Sequence, residues 1–144
     1  MNIPLLLSPK VKTAYLESDM TLRQALEKFR AHGYTAVPVL TSDGYYKGTV
    51  SEGDFLRYIL EVGEVSMKDM ESAKLSDIMT RDTVPSLNVD SSIEELTERL
   101  FSANFVSIVD ARGCFIGIVT RKSLLEYFKR QISYDPAENE WDGK

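Results

Sequence analysis

Apolar and polar positions along the chain change rhythm in a fixed order, and the order occurs twice. Thr13 to Leu16 reads as a short strand, and Ser18-Asp19 marks a turn after it. Thr21 with Gln24 forms a capping box that opens a helix, whose apolar positions Leu22, Ala25, Leu26 and Phe29 recur at helical spacing until Gly33 ends it. Thr35 to Leu40 predicts a strand, in which Pro38, lacking an N–H, favours an edge or a strand end. Ser42-Asp43-Gly44 predicts a hairpin turn, Tyr46 to Val50 the returning strand, and Phe55, Leu56, Ile59 and Leu60 the apolar stripe of a second helix.

The same series returns with a strand near Val84 to Val89 and a helix carrying Ile93, Leu96 and Leu100. A strand at Val106 to Val109, a turn at Asp110 to Gly113, a strand at Phe115 to Val119 and a helix from Arg121 complete it. Thr21-Leu22-Arg23-Gln24-Ala25-Leu26 matches Ser92-Ile93-Glu94-Glu95-Leu96-Thr97, and Gly48-Thr49-Val50-Ser51 matches Gly117-Ile118-Val119-Thr120. The expected organisation is one repeat over 8–60, a charged linker over 61–73, a second repeat over 74–132, and an acidic tail over 133–144. A repeat this long holds several elements per copy, so the copies are expected to pack as a pseudo-symmetric pair with ligand sites between them. Copy two reads two residues shorter, with no counterpart of Thr35-Ala36 before Val106.

Composition narrows the function. At 144 residues with 43% hydrophobic content the chain supports one substantial core, and a net charge of −5 argues against nucleic acid or an anionic membrane as partner. No apolar run approaches the roughly 20 residues that span a bilayer. The single cysteine, Cys114, suits a reducing cytoplasm, which is the expected location. The sequence shows no nucleophile–base pair, no His/Cys metal spacing and no glycine-rich phosphate loop, so a non-enzyme without required cofactor or metal is expected. His32, the only histidine, stands at a helix end, and Trp141 lies in the tail.

The β-α-β-β-α order, the block Gly33-Tyr34-Thr35-Ala36-Val37-Pro38-Val39, the Asp-Gly turn, the segment Gly48-x-x-Ser51-x-x-Asp54 and the lead-in Leu75-Ser76-Asp77-Ile78-Met79-Thr80 together resemble a tandem cystathionine-β-synthase (CBS) domain pair. The resemblance implies an α+β fold of two CBS repeats packed about a pseudo-twofold axis (a Bateman module), with modules dimerising into a disk. It also implies two clefts, each built from both copies and commonly holding adenine nucleotides.

On that architecture the first cleft combines Lys12, Thr13, Ala14, Tyr34, Thr35, Ala36 and Pro38 with Thr120, Arg121 and Lys122. Three cations there stand around a helix N-terminus that itself favours anions, and Tyr34 offers a flat face to a purine. The family's ribose-binding Asp is replaced by Ser123. The second, weaker cleft combines Ser51, Asp54, Thr83, Val84, Pro85 and Phe105, with Asp54 suited to a ribose diol. Ser51-x-x-Asp54 is equally an ordinary helix-capping pattern.

Lys12-Thr13-Ala14, Gly33 to Pro38 and Phe115 to Lys122 are similar to the small stand-alone CBS-pair proteins of Gram-positive bacteria that bind cyclic di-AMP, whose Thr-Arg-Arg segment has Lys122 here in its last place. The resemblance implies a nucleotide-sensing regulator that binds cyclic di-AMP in the first cleft and signals to an unidentified protein target as a homodimer. AMP, ADP or ATP as ligand, or an interaction module with vestigial clefts, are the alternatives.

Overall fold

The computed structural model describes residues 2–79 and 84–132. Expectations for Thr80, Thr83 and the tail with Trp141 lie outside the described residues. In chain order the elements are α1 (Ile3–Leu6), β1 (Ser8–Pro9), a 3-10 turn (Lys10–Lys12), β2 (Leu16–Glu17), α2 (Leu22–His32), β3 (Ala36–Leu40), β4 (Tyr46–Ser51), α3 (Glu52–Val62), α4 (Met67–Ser72), α5 (Leu75–Ile78), β5 (Leu87–Asn88), α6 (Ile93–Ser102), β6 (Phe105–Val109), β7 (Phe115–Thr120) and α7 (Arg121–Gln131).

Each copy builds one small sheet. In copy one the order is β2-β3-β4, and in copy two it is β1-β7-β6-β5. Within each sheet the first strand of the copy is parallel to the second, and the second is antiparallel to the third. The caps behave as their residue types dictate. Thr21 Oγ1 accepts from Gln24 N–H while Gln24 returns a side-chain oxygen to Thr21 N–H, and Gly33 closes α2 in the left-handed conformation at φ 69°. Both hairpins tighten on an oxygen at the same place. Thr41 Oγ1 accepts from Tyr45 N–H, and Asp110 Oδ1 accepts from the N–H groups of Arg112 and Cys114.

The cores cross over. Leu16, Leu22, Ala25, Phe29, Val37, Val39, Val50 and Phe55 form the core of copy one together with Leu75 and Ile78 of α5, which precede copy two in the chain. Ile3 and Leu6 of α1, which precede copy one, are buried in the core of copy two with Leu87, Leu96, Leu100, Val106, Ile108, Val119 and Leu124. β1 follows α1 onto the edge of copy two, pairing Ser8 with Ile118 and Pro9 with Gly117. The hairpin tips also join, with Phe115 N–H donating to Gly44 O at 3.0 Å and Tyr46 N–H to Gly113 O at 3.3 Å.

Four readings of the pattern are corrected. The strand expected at Thr13 to Leu16 is only β2, because Lys10–Lys12 turn and the chain then passes between the sheets. Pro38 lies in the central strand, but β2 begins opposite Val39, so Pro38 stands beyond the end of that parallel pairing. Of the stripe on α3 only Phe55 is buried; Leu56, Ile59 and Leu60 face outward. The two-residue shortening of copy two does not remove the counterpart of Thr35-Ala36. Ala36 pairs with Ser51 just as Phe105 pairs with Thr120, and Glu52 N–H donates to Thr35 O as Arg121 N–H does to Asn104 O. The missing residues belong to the helix end, where α6 stops at Ser102 without an equivalent of Gly33.

Gly117 sets the crossing of the N-terminal segment. Its φ is 153°, and a Cβ built there would meet Ser8 O at 2.1 Å. Gly117→Ala is therefore expected to lower stability by about 2 kcal/mol or more, through strain and overpacking, measured by denaturant unfolding. Asp110 offers a second check. Its backbone hydrogen bonds, chiefly from Cys114 N–H, hold the carboxyl below its ordinary value despite partial desolvation. A folded-state pKa lowered in this way adds stability above the unfolded value, near 3.9, that is lost as pH falls through the folded one. Asp110→Ala should lower the Tm at pH 7 more than at pH 2.5, and the matching change at Thr41 should show no such pH dependence.

Candidate functional site

Between the sheets lie two cavities related by the repeat. The first, about 210 Å³, is lined by Ser8, Lys12, Thr13, Ala14, Tyr34, Ala36, Val37, Pro38, Phe105, Ile118 and Thr120. Seven of the residues anticipated for the first cleft thus share one wall system: Lys12, Thr13, Ala14, Tyr34, Ala36, Pro38 and Thr120. The crossing segment brings in Lys12 to Ala14, and Thr13 Oγ1 fixes its turn by donating to Pro9 O at 2.9 Å. Tyr34 stands just past the Gly33 cap, 56% exposed, with its ring at the mouth. Thr120 caps α7, accepting from Ser123 N–H at 3.1 Å and sharing a hydrogen bond with the Ser123 hydroxyl.

The cations are distributed differently from the sequence expectation. Lys12 lines the cavity, and Lys122 lies exposed in the first turn of α7. Neither has an ion-pair partner among the described residues. The Arg121 guanidinium is turned to the end of α6. Its Nε donates to Leu100 O at 2.5 Å, Nη2 to Phe101 O at 2.8 Å and Nη1 to Asn104 Oδ1 at 3.0 Å. These carbonyls lack helical partners because α6 has lost the glycine cap, so a cation at the negative end of the helix replaces it.

The second cavity, about 270 Å³, is lined by Thr35, Ala36, Thr49, Val84, Ser102, Ala103, Asn104, Phe105 and Ser107. Ala36 and Phe105, equivalent in the two copies, therefore form the shared wall, and Thr35 belongs to the second cavity. Of the residues anticipated for the weaker cleft, Val84 and Phe105 line it. Pro85 instead offers its carbonyl to Arg99 Nη1 at 2.9 Å. Ser51 and Asp54 do not reach it. Asp54 is buried, with Oδ2 accepting from Ser51 N–H at 2.8 Å and from Ser51 Oγ at 3.2 Å, and Oδ1 paired with Arg57 Nη2 at 2.7 Å. An acid at this helix position folds back onto the orphan N–H of the cap, and once buried it needs a cation. Asp54 faces a separate hollow with Arg57, Tyr58, Glu61, Asp77, Ile78 and Met79.

The strand register relates the linings of the two cavities, including Ile118, Thr49 and Ser107, which residue-type reasoning missed. Pro38 and Ile118 in the first cavity correspond to Ser107 and Thr49 in the second. One floor is apolar and the other carries hydroxyls. Thr49 Oγ1 lies 3.0 Å from the Tyr46 phenol, which donates to Val84 O at 2.5 Å and whose pKa burial pushes up. Ser107 Oγ, buried, has no hydrogen-bond partner among the described residues. No lysine or arginine lines the second cavity among the described residues. No described group of His, Cys, Asp and Glu could hold a metal ion, and no helix among the described residues is long and apolar enough to cross a membrane.

Known proteins share this arrangement. The cyclic di-AMP receptor B of Bacillus subtilis (strain 168) is 23% identical over 121 residues, covering 84% of this chain and 82% of its own. The crystal structure of Listeria monocytogenes CbpB in complex with c-di-AMP superposes with a TM-score of 0.78 at 27% identity, covering 90% of this chain and 96% of that one. A further structure of CbpB in complex with c-di-AMP gives a TM-score of 0.82 at 20% identity, covering 90% and 85%, and shows likeness of fold. The model of the CBS domain family matches residues 7–61 and 75–130. With two matched segments that together take up most of its length, the chain belongs to the CBS domain family and is a CBS pair.

Proposed function

We propose that this protein is a non-catalytic cytoplasmic sensor that binds cyclic di-AMP in the first cavity and reports its occupancy to a protein target. The observation that carries the reading is the asymmetry of the two cavities. Only the first combines a lining lysine, Lys12, with the N-terminus of an eleven-residue helix, exposed Lys122 in its first turn, and a tyrosine at the mouth. Phosphates favour such a helix end, and a purine can stack on Tyr34. The ligand-free cavity, at about 210 Å³, is below the roughly 300–1,000 Å³ usual for ligand pockets. The related receptor of Bacillus subtilis and the Listeria complex, by their names, support cyclic di-AMP over other purine ligands. AMP, ADP or ATP, recognised through a ribose, loses its expected acceptor because Asp54 is committed to Ser51 and Arg57.

The same protein is proposed to act as a homodimer. Equivalent outward positions on α3 and α7 are apolar in both copies, Leu56 with Leu125 and Ile59 with Phe128, and Leu60 and Ile132 extend them. A second copy related by a twofold axis covers both faces at once. The outward faces should yield a dimer in sedimentation, and Leu56→Glu with Leu125→Glu a monomer.

Calorimetric titration against cyclic di-AMP, AMP, ATP and S-adenosylmethionine tests the ligand. Cyclic di-AMP is expected to bind most tightly, and no binding by any of the four overturns the sensor reading. Lys122→Ala should weaken cyclic di-AMP by roughly tenfold, the loss of a charged contact of about 1.5 kcal/mol. Asp54→Asn should leave that affinity unchanged while costing about 1–3 kcal/mol of stability by urea unfolding, because a buried hydrogen-bonded acceptor is altered.

A further inference from the structure

Arg121 holds together two features that are otherwise unrelated, a helix end without a cap and the mouth of the first cavity. Copy one closes α2 with Gly33 and carries Glu52 at the first position of its last helix; copy two has no glycine and carries Arg121 there. The two changes compensate each other, since the Arg121 guanidinium takes the carbonyls of Leu100 and Phe101 and the side chain of Asn104. Yet Arg121 begins α7 immediately after Thr120, which lines the cavity. All three of its acceptors are neutral oxygens. A phosphate offers the same donors an ionised partner in bidentate geometry, which neutral carbonyls cannot match.

We propose that Arg121 is a positioning residue with two positions, closing the end of α6 when the cavity is empty and moving to the phosphate of a bound ligand. Occupancy then strips the Leu100 and Phe101 carbonyls of their side-chain donor and loosens the segment around Phe101, whose side chain is 79% exposed on the outer surface. Ligand chemistry in the cleft is thereby converted into a change on the outer face of copy two, where a partner can read it. The ligand shifts the equilibrium only by its preference for the released state, which the phosphate contact supplies. This rests on the reading of the first cavity as a site for a phosphate-bearing purine.

Amide hydrogen exchange on the full chain tests it, with binding of cyclic di-AMP followed in parallel by calorimetry. In the free protein Arg121→Ala should speed exchange at residues 101–104 by about fivefold or more, the size of effect expected from a lost helix cap. Saturating cyclic di-AMP should speed the same amides in the unaltered protein while slowing those of residues 12–14 and 34–36, and should add nothing at 101–104 in the Arg121→Ala variant. Arg121→Lys, which keeps the charge but cannot span three acceptors, should give intermediate rates in the free state. Binding with unchanged or slowed exchange at 101–104 overturns the coupling and leaves the ligand assignment standing. Absence of binding removes both, and the free-state rates of the variants then still report whether Arg121 closes α6.

Discussion

Each copy keeps the leading segment of the other in its core. Ile3 and Leu6 precede copy one and are buried in copy two, while Leu75 and Ile78 precede copy two and are buried in copy one. Removing either pair from water contributes several kcal/mol, so neither copy is complete without the other. The exchange also takes the chain between the sheets over 10–15, where Lys12, Thr13 and Ala14 become a wall of the first cavity. Gly117, by letting Ser8 approach its backbone, fixes that crossing and with it the placement of these residues.

On this shared frame the copies have diverged in chemistry. The floor of one cavity is Pro38 and Ile118, and of the other Ser107 and Thr49. The third residue of the last helix in copy one is Asp54, buried and paired with Arg57, and in copy two it is Ser123, bonded to Thr120. Having no carboxylate there leaves no negative charge beside the cavity that Lys12 lines. Both cavities share the Ala36–Phe105 wall.

Much of this was legible along the chain. Element order, the capping boxes at Thr21 and Ser51, the Gly33 stop and the two hairpins follow from local rules, because a cap or turn is satisfied by residues three or four positions away. Seven residues anticipated for the first cleft line one cavity, while the pairing of cavity walls between copies came from the strand register. What the pattern did not give was direction. Asp54 was read as suited to a ribose diol, and in the structure its carboxylate accepts from its own helix cap and from Arg57. Leu56, Ile59 and Leu60 were read as an apolar stripe and face outward, because periodicity marks an apolar face without saying what covers it.

The amino-acid sequence alone thus determined the two copies, their elements, and the cations and aromatic residue available to a site. Tertiary structure decided which core each leading segment enters, because α1 and α5 are too short and too apolar to choose a partner by pattern. It also decided where Arg121 points. The shortening that removed a glycine cap is a local fact, but the carbonyls it left unpaired lie about 20 residues earlier in the chain, and only folding brings a guanidinium to them.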